Sequence, residues 1–136
     1  MSYAMSFALQ QAVYGELTTD AVLVGLVGTA IFDAPPIGTP PPLYVLLGTE
    51  IVKDRSSKTT DGAAHDFVIK VVSDGAGFGA AKEVAGAVCD ALAGAPLVLS
   101  RGRLSSLGFR KARALRGKAP EGRRISLTFR AFVEDA

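Results

Sequence analysis

The chain has 136 residues, 49% of them hydrophobic, and a formal net charge of +2, which is one ordinary domain spanning residues 1–136, with a core that needs neither metal nor disulfide and no room for a second domain. A single cysteine, Cys89, excludes an internal disulfide, so a reducing cytoplasm is the expected setting. The longest apolar run, residues 21–32, falls short of the roughly 20 residues a bilayer span needs, and the first basic residue is Lys53, so neither a membrane partner nor an export signal is expected.

Met5, Leu9, Ala12, Val13 and Leu17 share one face of a helix predicted over residues 2–17. Thr19 or Asp20 then caps a short apolar turn that runs to Val27, and Ile31-Phe32 reads as a brief strand. Pro35, Pro36, Pro40, Pro41 and Pro42, with Gly38 among them, remove backbone donors and fix residues 34–42 as an extended connector. Residues 43–47 form a continuous apolar strand. The polar stretch 50–64, with its Asp61-Gly62 turn signal, is either a long hairpin arm or a flexible loop.

Phe67, Ile69 and Val71 alternate with Val68, Lys70 and Val72, giving a strand apolar on both faces, which places it centrally in a sheet. Ala81, Val84, Ala85, Val88, Cys89 and Leu92 follow helical spacing, and Gly94 with Pro96 supplies a stop, so a second helix is predicted over 78–93. Residues 104–115 make a basic, loosely alternating strand. Residues 124–134 make a clear one, with Ile125, Leu127, Phe129, Ala131 and Val133 on one face. The expected fold is α+β, a mainly antiparallel sheet of about four to five strands with two helices packed on one face and one long polar hairpin or loop.

Charge is unevenly distributed. Between Arg101 and Arg130, ten basic residues oppose Glu121 alone, a local net of +9, while the rest holds five basic residues against twelve acidic ones, a net of −7. Such polarity suits head-to-tail or stacked assembly, or a basic patch facing phosphate.

Catalytic chemistry finds little support. Gly75, Gly77 and Ala80 satisfy the spacing of a dinucleotide-binding fingerprint between a strand and a helix, but the fingerprint requires a following parallel strand that ends in an acidic residue, and residues 97–99 lead into Ser100 and Arg101. A glycine-rich strand-to-helix turn is the better account. His65 and Cys89 are the only possible nucleophile pair, yet a cysteine on a core stripe reads as a small buried hydrophobe. One histidine and one cysteine do not make a metal site, and Asp54, Asp61 and Asp66 read as solvated loop carboxylates. No catalytic, cofactor-binding or metal-binding residue is assigned, and the chain is not expected to be an enzyme.

The basic segment offers phosphate contacts, but its aromatics are only Phe109 and Phe129, and Phe129 lies on the apolar face of its strand, so base stacking is unsupported. A solvated sheet face or a subunit interface is the competing reading.

The succession of leading helix, the strand Leu43-Tyr44-Val45-Leu46-Leu47, a polar excursion, the strand Phe67-Val68-Ile69-Lys70-Val71-Val72-Ser73 running through a glycine-rich turn into the helix at 80–92, and the closing strand at 125–134 resembles the tail-terminator, or tail-completion, proteins of long-tailed bacteriophages. It is most similar to their relatives in the gene transfer agents of alphaproteobacteria. The resemblance implies a structural virion protein with no cofactor, assembled in the bacterial cytoplasm and located at the head-tail junction. It implies a ring, usually a hexamer, that caps the tail tube and ends its polymerisation. The other face of the ring would receive the head-completion or stopper protein, with DNA passing through a central channel.

Interface candidates are Lys53, Asp54, Arg55 and Lys58 in the polar excursion, and Arg101, Arg103, Arg110, Lys111 and Arg113 in the basic segment. Two other function classes stand beside the ring: a nucleic-acid-binding module built on the basic strands, which predicts steeply salt-dependent DNA binding, and a nucleotide-dependent enzyme, which predicts a thermal shift with a dinucleotide.

Overall fold

The computed structural model describes residues 3–75, 77–118 and 122–135. Its elements follow in the order α1 (Ser6–Thr19), α2 (Ala21–Val27), β1 (Ile31–Phe32), β2 (Leu43–Asp54), β3 (Gly62–Ser73), α3 (Gly79–Leu92), β4 (Arg103–Arg116) and β5 (Arg123–Glu134). The strands form one five-stranded sheet in the order β1-β2-β3-β5-β4. Only the short β1–β2 pair is parallel; the other three pairs are antiparallel. The expected α+β architecture is present, with the strand at 67–72 central as its two apolar faces require.

Helices lie on one side of the sheet. The core joins Met5, Leu9, Val13 and Leu17 of α1, Leu23 of α2, and Ala81, Val84, Val88 and Leu92 of α3 to the inward side chains of β2, β3 and β5. Strict alternation in β5 buries Ile125, Leu127, Phe129, Ala131 and Val133 while the residues between them stay half-exposed. Phe129 is the largest of these side chains; it stacks on Phe67 at 5.7 Å between ring centroids and meets the edge of Phe109 at 6.0 Å.

The structure corrects several expected boundaries. The short apolar turn after Asp20 is a third helix of seven residues, capped by the Asp20 carboxylate, which accepts from the Leu23 N–H at 3.0 Å. In α1 the buried alanine is Ala8, with Ala12 only half-buried. Of the two alternatives for the polar stretch 50–64, the long hairpin arm is the one present, and most of it is strand. Residues 50–54 pair with 63–67, and Gly62 to Ala64 are in turn covered by the end of β5. Only 55–61 project, closed by bonds such as Ser57 N–H to the Thr60 carbonyl at 2.8 Å and the Ser56 hydroxyl to Asp54 at 2.6 Å. Composition made the stretch look loop-like because β2 is exposed along this part of its length.

The weak alternation of β4 has a local cause. Register shifts between Leu104 and Ser106 and between Phe109 and Lys111 each insert an unpaired residue, so side chains change face twice along the strand. The connection into β4 also needs glycine. Gly102 has φ +81°, and a Cβ there would lie 2.8 Å from the Glu134 carbonyl oxygen and 2.9 Å from Met5 Sδ.

The glycine-rich turn after β3 leads into α3, but α3 is followed by β4, which pairs antiparallel with β5 at the edge of the sheet. Strands β3 and β4 run parallel to each other, but β5 is inserted antiparallel between them and β4 ends at Arg116 rather than at an acidic residue, so the directly adjacent parallel strands of a dinucleotide site do not surround Gly75 and Gly77. Ala76, within that turn, lies outside the described residues, as does Glu121.

Candidate assembly surfaces

Cross-strand neighbours share a face, so the registers show which charged groups stand together. On the face away from the helices, Lys53, Lys70, Lys111, Arg113, Arg124 and Arg130 project beside Asp66. Positions 126 and 128, between Arg124 and Arg130, are serine and threonine, so β5 presents no large apolar group there. The basic segment of the sequence is thus one edge strand and its neighbour. The segment before residue 53 carries Glu16, Asp20, Asp33 and Glu50 and no basic residue at all, and it forms α1, α2, β1 and the start of β2.

Several of the basic residues are consumed inside the subunit. Arg130 makes two bonds to Asp66, directly opposite on β3, Nε to Oδ1 at 2.7 Å and Nη2 to Oδ2 at 2.9 Å. The hydrogen bond from Arg130 holds the Asp66 carboxyl below its usual range despite partial burial. Arg101 grips Asp135 through Nε at 3.2 Å and Nη2 at 2.9 Å, and Arg103 pairs with Glu134. Among the interface candidates, Arg101 and Arg103 therefore tie the start of β4 to the end of the chain. Arg110, Lys111 and Arg113 make no hydrogen bond or ion pair among the described residues and stand exposed on β4.

Lys53, Asp54, Arg55 and Lys58 lie together at the outer end of the β2–β3 hairpin. Asp54 accepts from the Ser56 hydroxyl and N–H, which lowers its carboxyl. Arg55 donates to the Asp54 carbonyl oxygen at 3.0 Å, and the Lys53 and Lys58 ammonium groups are unpaired among the described residues. The structure splits the second set: Arg101 and Arg103, bonded to Asp135 and Glu134, lie at the same end of the sheet as the hairpin residues, whereas Arg110, Lys111 and Arg113 stand along the free edge strand.

A polar cluster that the sequence did not reveal sits under the start of α1. Glu50 accepts at Oε1 from the Tyr3 hydroxyl (2.8 Å) and the Ser6 hydroxyl (2.6 Å), and its Oε2 lies 3.0 Å from His65 Nδ1. Burial pushes the Glu50 carboxyl up, but the bonds from His65, Ser6 and Tyr3 together outweigh it and hold the group below its usual value. His65 is fully buried. Its engagement with Glu50 gives it a structural task, and Cys89 has another environment: it is half-buried on α3, facing Phe109, Ala112 and Ala114. Burial and the neighbouring Asp90 push the Cys89 thiol up, the opposite of an activated nucleophile. No cluster able to hold a metal ion occurs among the described residues, and none of their helices is long and apolar enough to cross a membrane.

A model of the tail completion protein gp17 family matches residues 11–134. The chain belongs to that family. A solved structure described as "Virion of native gene transfer agent (GTA) particle" contains a chain 58% identical to this one, with a TM-score of 0.92 over 98% of this chain and 99% of that chain. No curated protein matches. This tail completion protein is a structural component of a phage-type particle, and its family points to a non-enzymatic role.

Proposed function

We propose that this tail completion protein closes into a ring, of six copies as its resemblance to the family implies, that caps the tail tube and ends its polymerisation. The opposite side of the ring receives the head-completion protein, and DNA passes through the central channel. The observation that carries the reading is the match of family and fold over almost the whole chain, including a gene transfer agent virion chain at 58% identity. The electrical asymmetry of the subunit supports it. A closed ring needs two unlike, mutually complementary patches on each copy, and the free cations of β4 lie at one end of the sheet while the base-free segment that carries Glu16, Asp20 and Asp33 supplies its other end.

The hairpin-end residues Lys53, Asp54, Arg55 and Lys58 are the group we assign to a tail component, because they cluster at the outer end of the hairpin, where the Lys53 and Lys58 ammonium groups make no ion pair among the described residues. Deleting the gene in producing cells is the test: tails of uncontrolled length and unjoined capsids are expected in electron micrographs. Uniform tails firmly attached to capsids in its absence would refute the ring. Charge reversal at Lys53, Arg55 and Lys58 is expected to disturb tail length or joining while the subunit still folds.

A second reading rests on the shared basic face. Lys70, Lys111, Arg113 and Arg124 project from three adjacent strands, which suits contact with a phosphate backbone. It requires tight DNA binding by the isolated protein that falls steeply with salt; weak binding at about 50 mM salt sinks it.

A further inference from the structure

The sheet extends past its helical cover at β4. Helix α3 lies over β3 and β5 and reaches only the near side of β4, so the helix-side residues Phe109, Ala112 and Ala114 form the floor of an open trough of about 290 Å³ whose wall is Ala85, Gly86 and Cys89 of α3. Phe109 is 52% exposed there. On the other side of the same strand stand the unpaired Lys111 and Arg113. Anything that seats against this edge meets an apolar trough on one side and positive charge on the other.

Edge strands are commonly protected by charges and bulges against unwanted pairing, and β4 has both. That account covers Lys111, Arg113 and the two register shifts. It leaves unexplained an aromatic ring, two alanines and a helical glycine lining a trough in which a Cβ at Gly86 would have nothing within 4 Å. The bulges also disfavour a simple added strand, so the expected occupant is a helix or loop carrying apolar side chains with acidic neighbours.

This chain carries such a surface at the opposite end of its sheet. Helix α2 packs on β2, next to the β1 edge, and leaves Val22 67% exposed and Val24 partly so. The loop after β1 leaves Ile37 fully exposed. Asp20 and Asp33 flank these apolar groups, and no lysine or arginine occurs before residue 53. We infer that the occupant of the β4 trough is a second copy of this chain, entering with its α2–β1 edge. Apolar side chains fill the trough, and Asp20 and Asp33 approach Lys111 and Arg113. Because the two edges lie at opposite ends of one sheet, each copy presents both halves, which makes the contact head-to-tail and able to close into a ring. The inference rests on the ring reading above and specifies which surfaces form it.

The test is disulfide trapping in assembled particles. In a Cys89→Ser chain, Ala112→Cys is combined in turn with Val22→Cys, Val24→Cys, Asp33→Cys or Ile37→Cys, and purified particles are oxidised. At least one pair is expected to give a ladder of linked multimers that each single variant lacks. No ladder from any pair, in particles that contain the protein, overturns the edge assignment and leaves the ring itself standing; normal particles formed without the protein overturn the ring. Carbodiimide coupling on unmodified particles gives an independent readout if the variants do not assemble. Lys111 joined to Asp20 or Asp33 of the same protein is expected, and Lys111 joined only to other proteins, or to nothing, overturns the inference.

Discussion

Removing the Glu50 carboxylate isolates what holds the start of α1 on the sheet. Three donors converge on it: the Tyr3 hydroxyl, the Ser6 hydroxyl and His65 Nδ1, at 2.8, 2.6 and 3.0 Å. Tyr3 is exposed and contributes little, since water replaces its partner. Ser6 and His65 are buried. Glu50→Ala leaves His65 Nδ1–H in the core without an acceptor, at about 1–3 kcal/mol, and removes the Ser6 bond to a charged group, worth about 1.5 kcal/mol, for a total of roughly 3 kcal/mol. Glu50→Gln keeps the shape and loses only the charge assistance, about 1–2 kcal/mol. Urea denaturation followed by circular dichroism at pH 7 reads these values; with a slope of about 1.5 kcal/mol/M, Glu50→Ala lowers the midpoint by roughly 2 M. Replacing both partners, Glu50→Leu with His65→Leu, is expected to cost less than Glu50→Ala alone, because the buried imidazole is removed together with its acceptor and only the Ser6 hydroxyl loses its partner. A loss below about 0.5 kcal/mol for Glu50→Ala, within the range of ordinary surface substitutions, or strict additivity with His65→Leu, would refute the reasoning.

Acid should act through the same cluster. The folded Glu50 value lies below the usual 4.5 and the Asp66 value below the usual 3.8, so their stabilisation is fully present above the unfolded values and is lost as pH falls through the folded ones. Melting temperature is expected to be insensitive to these groups from pH 7 to about 5 and to drop below that, with a smaller drop in Glu50→Gln. Phe129→Ala, which empties a fully packed position between Phe67 and Phe109, is expected to cost about 3–5 kcal/mol in the same denaturation assay. Phe109→Ala, half-exposed in the subunit, should cost under about 1.5 kcal/mol there and instead lower the yield of joined particles. Gly102→Ala combines a left-handed backbone with contacts under 3 Å and should cost about 2 kcal/mol or more, whereas Gly94→Ala, at φ +65° with nothing within 4 Å, should cost about 1 kcal/mol; equal losses would show that the close approach at Gly102 is relieved without penalty.

The parts of the fold that could be read from the residues were those where one period dominates. Strand β5 alternates without interruption and α3 keeps its apolar stripe for three turns, so both were placed to within a residue or two. What escaped reading has identifiable causes. Strand β2 runs on to Asp54 beside β3 with mostly exposed side chains, so its sequence looks like a loop; its order comes from ladder bonds that any residue but proline supplies. In β4 two bulges break the alternation. The Glu50–His65 pair joins residues 15 apart in sequence and cannot be inferred without the register that sets them on adjacent strands. Charge segregation was visible at once, but which cations remain free was not: Arg101, Arg103 and Arg130 are neutralised by carboxylates that only the fold brings near.

That neutralisation narrows what the charge can do. A uniform +9 segment would repel itself on one sheet edge and attract any polyanion. Three local pairs remove charge from the start of β4 and from β5, leaving Arg110, Lys111, Arg113 and Arg116 without an ion pair among the described residues on the longer of the two edge strands. At about 0.15 M salt the field of such a group decays within roughly 8 Å, too short to steer a distant partner strongly but well matched to selecting the register of a contact already made. The apolar trough supplies the attraction, and the cations decide which edge may enter it. A substitution such as Lys111→Glu with Arg113→Glu should therefore leave the subunit folded, disturb joining of heads and tails, and be offset in part by reversing Asp33 to lysine. The same pair of reversals would have no reason to cooperate if β4 faced only solvent.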